Sequence, residues 1–423
     1  MTTPDPDAPA LLLIGAGDSL YRGYALKTLA SRYPILLLDT EPPTWQNPYI
    51  ADHRVADLGD LTALRAAADD LAAAHEIGGV LTWNEFAVAH TAAIAQHLKT
   101  AGLDPEAVRA CRNKAVARAL FDAHAVPSAR WAPVNSPSQL RTATAHLGYP
   151  FVLKPAAAAG SAGVIRIDSP DELGHAYAFA ARAAGHHGVT AAGLVAEEYL
   201  DGPEISIEVV AGPGGHTVAA VTHKQLGTPP YFEETGHLVA PALRSSVTDE
   251  AEKTAIRALE ALDITHGVAH VEIRLTSAGP RLIEVNPRLG GDLIPHLVHL
   301  ATGIDLVTAA ADLAMGLDPA PRATRHQAAG IGFVYPKTAG RLLSLTADPA
   351  LTTTSWCERA VLEQQSGARI APPPASGLDS RLAHAVVTAD TPAQCRQRLD
   401  HALTAIHATI DTTPAHSGET VAA

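Results

Sequence analysis

The sequence predicts an α/β protein of two to four domains, on three observations. Apolar strand-like runs alternate with Ala/Leu-rich helical runs in the leading part of the chain, the pattern of a parallel sheet with helices on both faces. Two later segments alternate polar and apolar residues with period two, the pattern of an antiparallel hairpin. The length, 423 residues, is more than one simple core organises.

The elements follow in order. After an acidic, Pro-rich start, LLLIGAGDSL (11–20) reads as a buried strand entering a Gly-containing turn and a helix. ILLLDT (35–40) is a second strand, LTALRAAADDLAAAHE (61–76) a helix and GGVLTW (78–83) a later strand. Gly15-x-Gly17 suggests a Rossmann-like turn, but Leu20 stands where the third glycine of a dinucleotide fingerprint belongs, so a tight strand-to-helix turn is the preferred reading. RNKAVARALFDAHAVPSAR (112–130) is a helix followed by a short Pro-containing strand. The strand PFVLKP (150–155), the loop AAAAGSAGV (156–164), a strand at 164–168, a helix at 170–184 and a strand at 194–198 come next. The turn DGPE (201–204) leads into the strand ISIEVVA (205–211). A long excursion containing Pro229 and Pro230 precedes GVAHVEIRLT (267–276) and RLIEVNPRLGG (281–291), which pair as a hairpin through the turn SAGP. From about 331 the pattern weakens; a last helix is expected over 392–410, and the final dozen residues read as a loose tail.

Composition narrows the function. A net charge of −13 without a Lys/Arg cluster argues against nucleic acid as partner. Apolar stretches stop short of the roughly 18 to 20 residues of a membrane span, and the acidic start is wrong for a signal peptide, so a cytoplasmic protein is expected. Cys111, Cys357 and Cys395 are too scattered for a zinc knuckle or a disulfide framework.

Three constellations carry chemistry. In the hairpin, Glu284 and Asn286 share one face and Glu272 stands on the partner strand, all between apolar flanks. Two half-buried carboxylates and an amide repel one another unless a cation lies between them, and this hard oxygen set suits Mg²⁺ or Mn²⁺. Arg288, two residues on, brings a planar cation within reach of a phosphoryl group or an oxyanion, and Gly290 and Gly291 let backbone approach a ligand. Second, Lys154 closes an apolar strand and is followed only by small residues, none larger than Ser161, a loop able to fold over polyphosphate. Third, the acidic turn 193–208 contains Glu197, Glu198, Leu200 and Glu204, placed for an adenine edge and ribose hydroxyls. Singly, the loop is a run that an Ala-rich chain produces by chance, and the turn reads as a solvated acidic turn.

Together, in this order, the three resemble the ATP-grasp superfamily, over roughly residues 10–410 and most densely over 112–291. EEYLDGPE is similar to the adenine-and-ribose crossing of D-alanine–D-alanine ligases, which implies adenine contacts for Glu197, Glu198 and Leu200 and a ribose contact for Glu204. The resemblance gives Lys114 and Lys154 to the ATP phosphates, Glu272, Glu284 and Asn286 to Mg²⁺ (or Mn²⁺, as two ions), and Arg288 to the transferred phosphoryl and the tetrahedral intermediate. FEETGHLVAPA (232–242), GVAHVEIR (267–274) and EVNPRLGGDLIPHLV (284–298) resemble bacilysin-type L-amino-acid ligases, which implies that Glu234 takes a substrate ammonium and His237 lies near the carboxylate or nascent bond. His270 is then expected to support Glu272, and Glu85 to face the same pocket.

The implied fold is an α/β ATP-grasp fold: a Rossmann-like N-terminal domain (10–111), an ATP-binding domain in two lobes (112–193 with the glycine loop, 194–330 with the metal site) and a small C-terminal α+β domain (331–412). The implied activity is ATP-dependent ligation of amino acids through an acyl phosphate, releasing ADP and phosphate. Ligation of another carboxylate, by a γ-glutamyl, purine-biosynthetic or biotin-carboxylase-like enzyme, stays open, as does a non-catalytic ATP-binding module. Partners are small molecules, and a homodimer is left open.

Overall fold

The computed structural model describes residues 5, 8–375 and 380–413. The Pro-rich start and the loose tail expected from the sequence lie largely outside the described residues.

The chain begins with β1 (Ala10–Ile14), α1 (Ser19–Ala30), β2 (Ile35–Asp39), β3 (Asp52–Val55), α2 (Leu61–Ala72), β4 (Ile77–Leu81) and α3 (Val88–Leu98). Its four strands form a parallel sheet in the order β3-β2-β1-β4. Strands buried on both faces lose alternation and become apolar throughout. In β1, Leu11 and Leu13 pack with Ala25, Leu26 and Leu29 of α1, while Leu12 and Ile14 pack with Leu64 and Ala68 of α2 and Ile94 of α3.

Two short helices, α4 (Pro105–Arg112) and α5 (Lys114–Ala123), meet at Asn113, whose side chain accepts the N–H groups of Ala115 and Val116. That cap places Lys114 at the first helical position. Next come β5 (Trp131–Val134), α6 (Pro137–Leu147), β6 (Phe151–Pro155), β7 (Ile165–Ile167), α7 (Leu173–His186) and β8 (Leu194–Glu198), forming an antiparallel sheet in the order β5-β8-β6-β7. Its apolar side chains pack on α6 and α7 through Leu140, Ala143, Ala176 and Ala180.

The rest comprises β9 (Glu204–Gly212), β10 (Gly215–Leu226), β11 (Glu234–Val239), α8 (Ser246–Ala261), β12 (Gly267–Thr276), β13 (Gly279–Asn286), α9 (Ile294–Thr302), α10 (Leu306–Ala314), β14 (Ala328–Val334), β15 (Gly340–Ala347), α11 (Ala350–Thr353), β16 (Cys357–Leu362), β17 (Arg369–Ile370), β18 (Ala383–Ala389), α12 (Pro392–Thr404) and β19 (Ile406–Asp411). One eight-stranded sheet runs β13-β12-β9-β10-β11-β14-β18-β16, and a three-stranded one β17-β15-β19. At the β9–β12–β13 end, Ile205, Ile207, Val271 and Val285 pack on Ala251, Ala255, Ala258 and Leu259 of α8. By alternation, the polar residues of those strands all emerge on the opposite face.

Two expectations are corrected. The excursion after residue 211 contains β10, β11 and α8. The helix expected over 392–410 ends at Thr404; β-branched Ile406, Thr409 and Ile410 belong to β19, paired with β15. Among the described residues no single helix is long and apolar enough to cross a membrane; α9 and α10 satisfy length and composition only as a pair bent by 111°, and their apolar residues lie in the core.

Candidate active site

The polar face of the large sheet is built by register. Glu272 stands opposite Glu284 and His270 opposite Asn286 across β12 and β13. On the other side of β12, Arg274, Glu272 and His270 stand opposite Glu204, Ser206 and Glu208 of β9. Farther along the sheet, Lys224 of β10 stands opposite His237 of β11. Directly paired residues share a face, so E-I-S-I-E, H-V-E-I-R and E-V-N become one charged surface over one apolar core.

Lys224 is the centre of this surface. Its side chain is 1% exposed, and its ammonium lies 2.6 Å from Glu234, 2.8 Å from Glu272 and 3.2 Å from Glu204. Burial disfavours its charge, but the three carboxylates outweigh burial and hold its pKa well above the ordinary lysine value. Glu272 is held well below the carboxylate range against its own burial, chiefly by Lys224. His270 joins Glu208 at 2.9 Å to Glu272 at 3.2 Å. Burial lowers its pKa, yet Glu208 and Glu272 raise it to about 9 overall, so the ring carries a proton at neutral pH. His270 thus braces Glu272. Glu204, expected at ribose, is held by Lys224 and by Arg274 at 2.8 Å.

A second group meets this surface from α5 and from strands β6 and β8. Lys114 contacts Glu284 at 3.0 Å and donates to the Ala158 carbonyl at 2.9 Å. Lys154 lies 2.7 Å from Glu197, which also accepts both forks of Arg118 at 3.0 Å. Arg118 donates further to the carbonyl of Ile283, the residue bulged out of the β12–β13 ladder. Burial raises the Glu197 pKa, but Arg118 and Lys154 bring it down to about 2, while burial lowers that of Lys154 despite Glu197. Strand alternation sends Glu198 the other way, onto Arg130 at 2.7 Å. Both carboxylates are therefore committed within the protein. Ser161 is exposed at the loop tip, with φ of 56°, and is not drawn into the cluster.

Arg288 ion-pairs with Glu85, which also takes Arg112. Glu85 is buried, and its pKa is lowered despite that burial by the two arginines. Gly290 lies against the His270 ring, where an added Cβ would come within 3.1 Å of Nδ1, whereas Gly291 faces open space. His237, fully buried, sits 3.1 Å from both Glu234 and Asp292. Burial depresses its pKa, but the two carboxylates raise it above the ordinary histidine value. Asp292 in turn holds Arg381 through two bonds of 2.7 and 2.6 Å. Glu234, His237 and Asp292 present ligand atoms within 4.8 Å of one another, with Lys224 on Glu234 and Arg381 on Asp292.

Ion pairs and strand register bring together the expected residues Lys114, Lys154, Glu197, Glu204, Glu272, Glu284, Asn286, Arg288, Glu85, His270, Glu234 and His237. Sequence reading missed Lys224, Glu208, Arg118, Asp292 and Arg381. For Glu208 the alternation of ISIEVV was a signal; for Arg118 it was the one-turn spacing from Lys114. For the others the signal is long-range pairing.

An ATP-grasp domain matches residues 147–296, and an L-amino acid ligase C-terminal domain 2 matches residues 332–411. Human (Homo sapiens) carnosine synthase 1 is 30% identical over 214 residues, 48% of this chain and 26% of that protein. Alanine–anticapsin ligase of Bacillus amyloliquefaciens is 28% identical over 253 residues, 54% of this chain and 52% of that protein. The crystal structure of an L-amino acid ligase from Bacillus licheniformis superposes with a TM-score of 0.80 at 22% identity, covering 96% of this chain and all of that one. That likeness establishes the ATP-grasp fold. The chain spans less than two thirds of the length of the curated relatives it matches.

Proposed function

We propose that this chain, which carries an ATP-grasp domain followed by an L-amino acid ligase C-terminal domain, is a cytoplasmic ligase that joins two amino acids by an amide bond at the expense of ATP. The observation that carries the reading is the cluster of two carboxylates and an amide (Glu272, Glu284, Asn286) on paired strands, with Lys114 at the start of α5 against Glu284 and Arg288 two residues beyond Asn286. We keep the division of labour at the bounds read from the sequence: 10–111, 112–193, 194–330 and 331–412.

The donor set of Glu272, Glu284 and Asn286 is all oxygen, in register on adjacent strands, and fits one or two Mg²⁺ ions. Bound there, the metal neutralises phosphate charge. The chain's own residues do the rest. Lys114 and Lys154 bind phosphate oxygens, each swapping a carboxylate contact for a ligand contact. Arg288, held at the correct angle by Glu85, meets the phosphoryl group leaving ATP for the substrate carboxylate. When an amine attacks the acyl phosphate, the same guanidinium stabilises the oxyanion. Glu234 receives the ammonium of a substrate, and His237, held between Glu234 and Asp292, orients both carboxylates. The 156–164 loop excludes water that would otherwise hydrolyse the intermediate.

The test is a pairwise amino-acid screen read by phosphate release and product mass, run beside Glu284→Gln. Equal amounts of amide and phosphate are expected, with turnover in the variant lowered at least about 100-fold and its melting unchanged. Phosphate release without an amide from any pair, or activation by bicarbonate alone, would sink the reading.

A further inference from the structure

Arg22 is a cation beside this site that the proposed chemistry does not use. Arg118, Arg274, Arg288 and Arg381 each hold a carboxylate. Arg22, at the start of α1, behaves differently. Its Nη2 donates to the Gly290 carbonyl at 3.3 Å, and its guanidinium carbon lies 5.7 Å from the centre of the Trp83 ring. Its Nη1 is shielded from solvent and has no hydrogen-bond partner among the described residues. An unmet guanidinium N–H is costly in a protein interior. Such a group is met by water or by a ligand that brings an acceptor.

The surroundings aim this group. The Gly15-x-Gly17 turn leads straight into α1, and Trp83 pins it by donating to the Ala16 carbonyl at 2.9 Å. Gly17 has φ of 71°, and a Cβ there would lie 3.3 Å from Arg22 Cγ. The turn therefore makes room for the Arg22 side chain, which reaches across to the 288–292 segment. Burial lowers the Arg22 pKa, and nearby Arg288 lowers it further, while Asp292 and Tyr24 oppose them. The phosphates belong to Lys114 and Lys154.

Ligation of two amino acids leaves one anion that is never consumed. The reacting carboxylate becomes an acyl phosphate and then an amide; the carboxylate of the amine-bearing substrate stays charged throughout. Resting on the ligase reading above, we infer that Arg22 binds the free α-carboxylate of the amine-donating amino acid, and so restricts that substrate to amino acids. A side-chain carboxylate of an acidic substrate has the same chemistry and is separated from it by the choice of substrates.

The experiment uses the full chain with neutral amino acids as acyl donors. Each amine substrate is offered as the free acid and as its carboxamide, to wild type and to Arg22→Gln and Arg22→Lys. Wild type should favour the acid by about 100-fold in kcat/KM, since a site built for a charged partner rejects the analogue lacking it. Arg22→Gln should lose that preference through a raised KM for the amine, with KM for ATP unchanged; Arg22→Lys should recover part of it. Equal use of acid and carboxamide by wild type overturns the inference, whether or not the variants fold. So does a preference that survives in Arg22→Gln, or one that appears only with acidic amine substrates. A wild type that forms no amide at all instead defeats the ligase reading.

Discussion

Lys224 shows what one side chain does here. Glu204, Glu234 and Glu272 come from three strands and would repel one another in a shared buried volume, but a single ammonium at 2.6 to 3.2 Å binds all three. Titration elsewhere in the chain gives a direct check on such environments. His296 on α9 is buried against Tyr24, with ring centres 4.9 Å apart, and has Glu358 at 3.5 Å. Burial, reinforced by Arg359, lowers its pKa from 6.5 to about 4. Between those values the unfolded chain binds the extra proton, so the contribution is complete above pH 6.5 and is lost as pH falls toward 4. The loss amounts to at most about 3 kcal/mol. In urea unfolding across that range, His296→Gln should flatten the acid limb; an acid limb identical to that of wild type would remove His296 from the titration. At this scale the sequence was readable where function and local pattern coincide. Glu272, Glu284 and Asn286 lie in strict alternation, within one hairpin. Lys224 and Arg381 were not readable, because 48 residues separate Lys224 from Glu272 and 89 separate Arg381 from Asp292, and nothing in their own neighbourhoods marks them.

Among the elements, the glycine loop is the one whose sequence is weakest and whose anchoring is strongest. Three successive carbonyls are tied to the α4–α5 junction: Ala156 accepts the Lys114 N–H at 2.8 Å, Ala157 accepts Arg112 at 2.8 Å, and Ala158 accepts Lys114 Nζ at 2.9 Å. Only the tip is left to move, and Gly163 seats it. With φ of 74°, Gly163 packs so closely that a Cβ would meet Ala183 at 2.6 Å and Pro155 at 3.0 Å. Gly163→Ala should therefore cost about 1–3 kcal/mol and raise KM for ATP, while Gly174→Ala, where an added methyl meets nothing within 4 Å, should be neutral or slightly stabilising. A Gly163→Ala enzyme with unchanged melting and unchanged KM for ATP would show that the seat does not matter. The same Ala-richness explains what was misread. Ala405 and Ala408 extend a helical pattern past Thr404, although Ala405 only caps α12 and β-branched neighbours pull Ala408 into β19. β10 (GHTVAAVTHKQL) lacks clean alternation because both its faces are covered along part of its length, and it escaped notice.

The whole molecule is joined through its largest sheet. From β13 to β16 the ladder is continuous, with β14 pairing β11 on one side and β18 on the other. Strands carrying Glu272, Glu284 and Asn286 and strands of the C-terminal region therefore belong to one continuous sheet. Arg381, just before β18, reaches back along it. Its guanidinium lies 3.6 Å from the centre of the Phe333 ring, takes the Tyr335 hydroxyl at 3.0 Å and clasps Asp292. Asp292 in turn holds His237. The link is a buried ion pair, so removing one member leaves an uncompensated charge, at a cost of about 3–5 kcal/mol, whereas removing both costs less than the sum. Arg381→Met and Asp292→Asn should each lower the urea midpoint strongly, and the double variant should recover about 1–3 kcal/mol of the summed loss. If the two losses simply add, the two residues are not coupled and the clasp contributes nothing to stability.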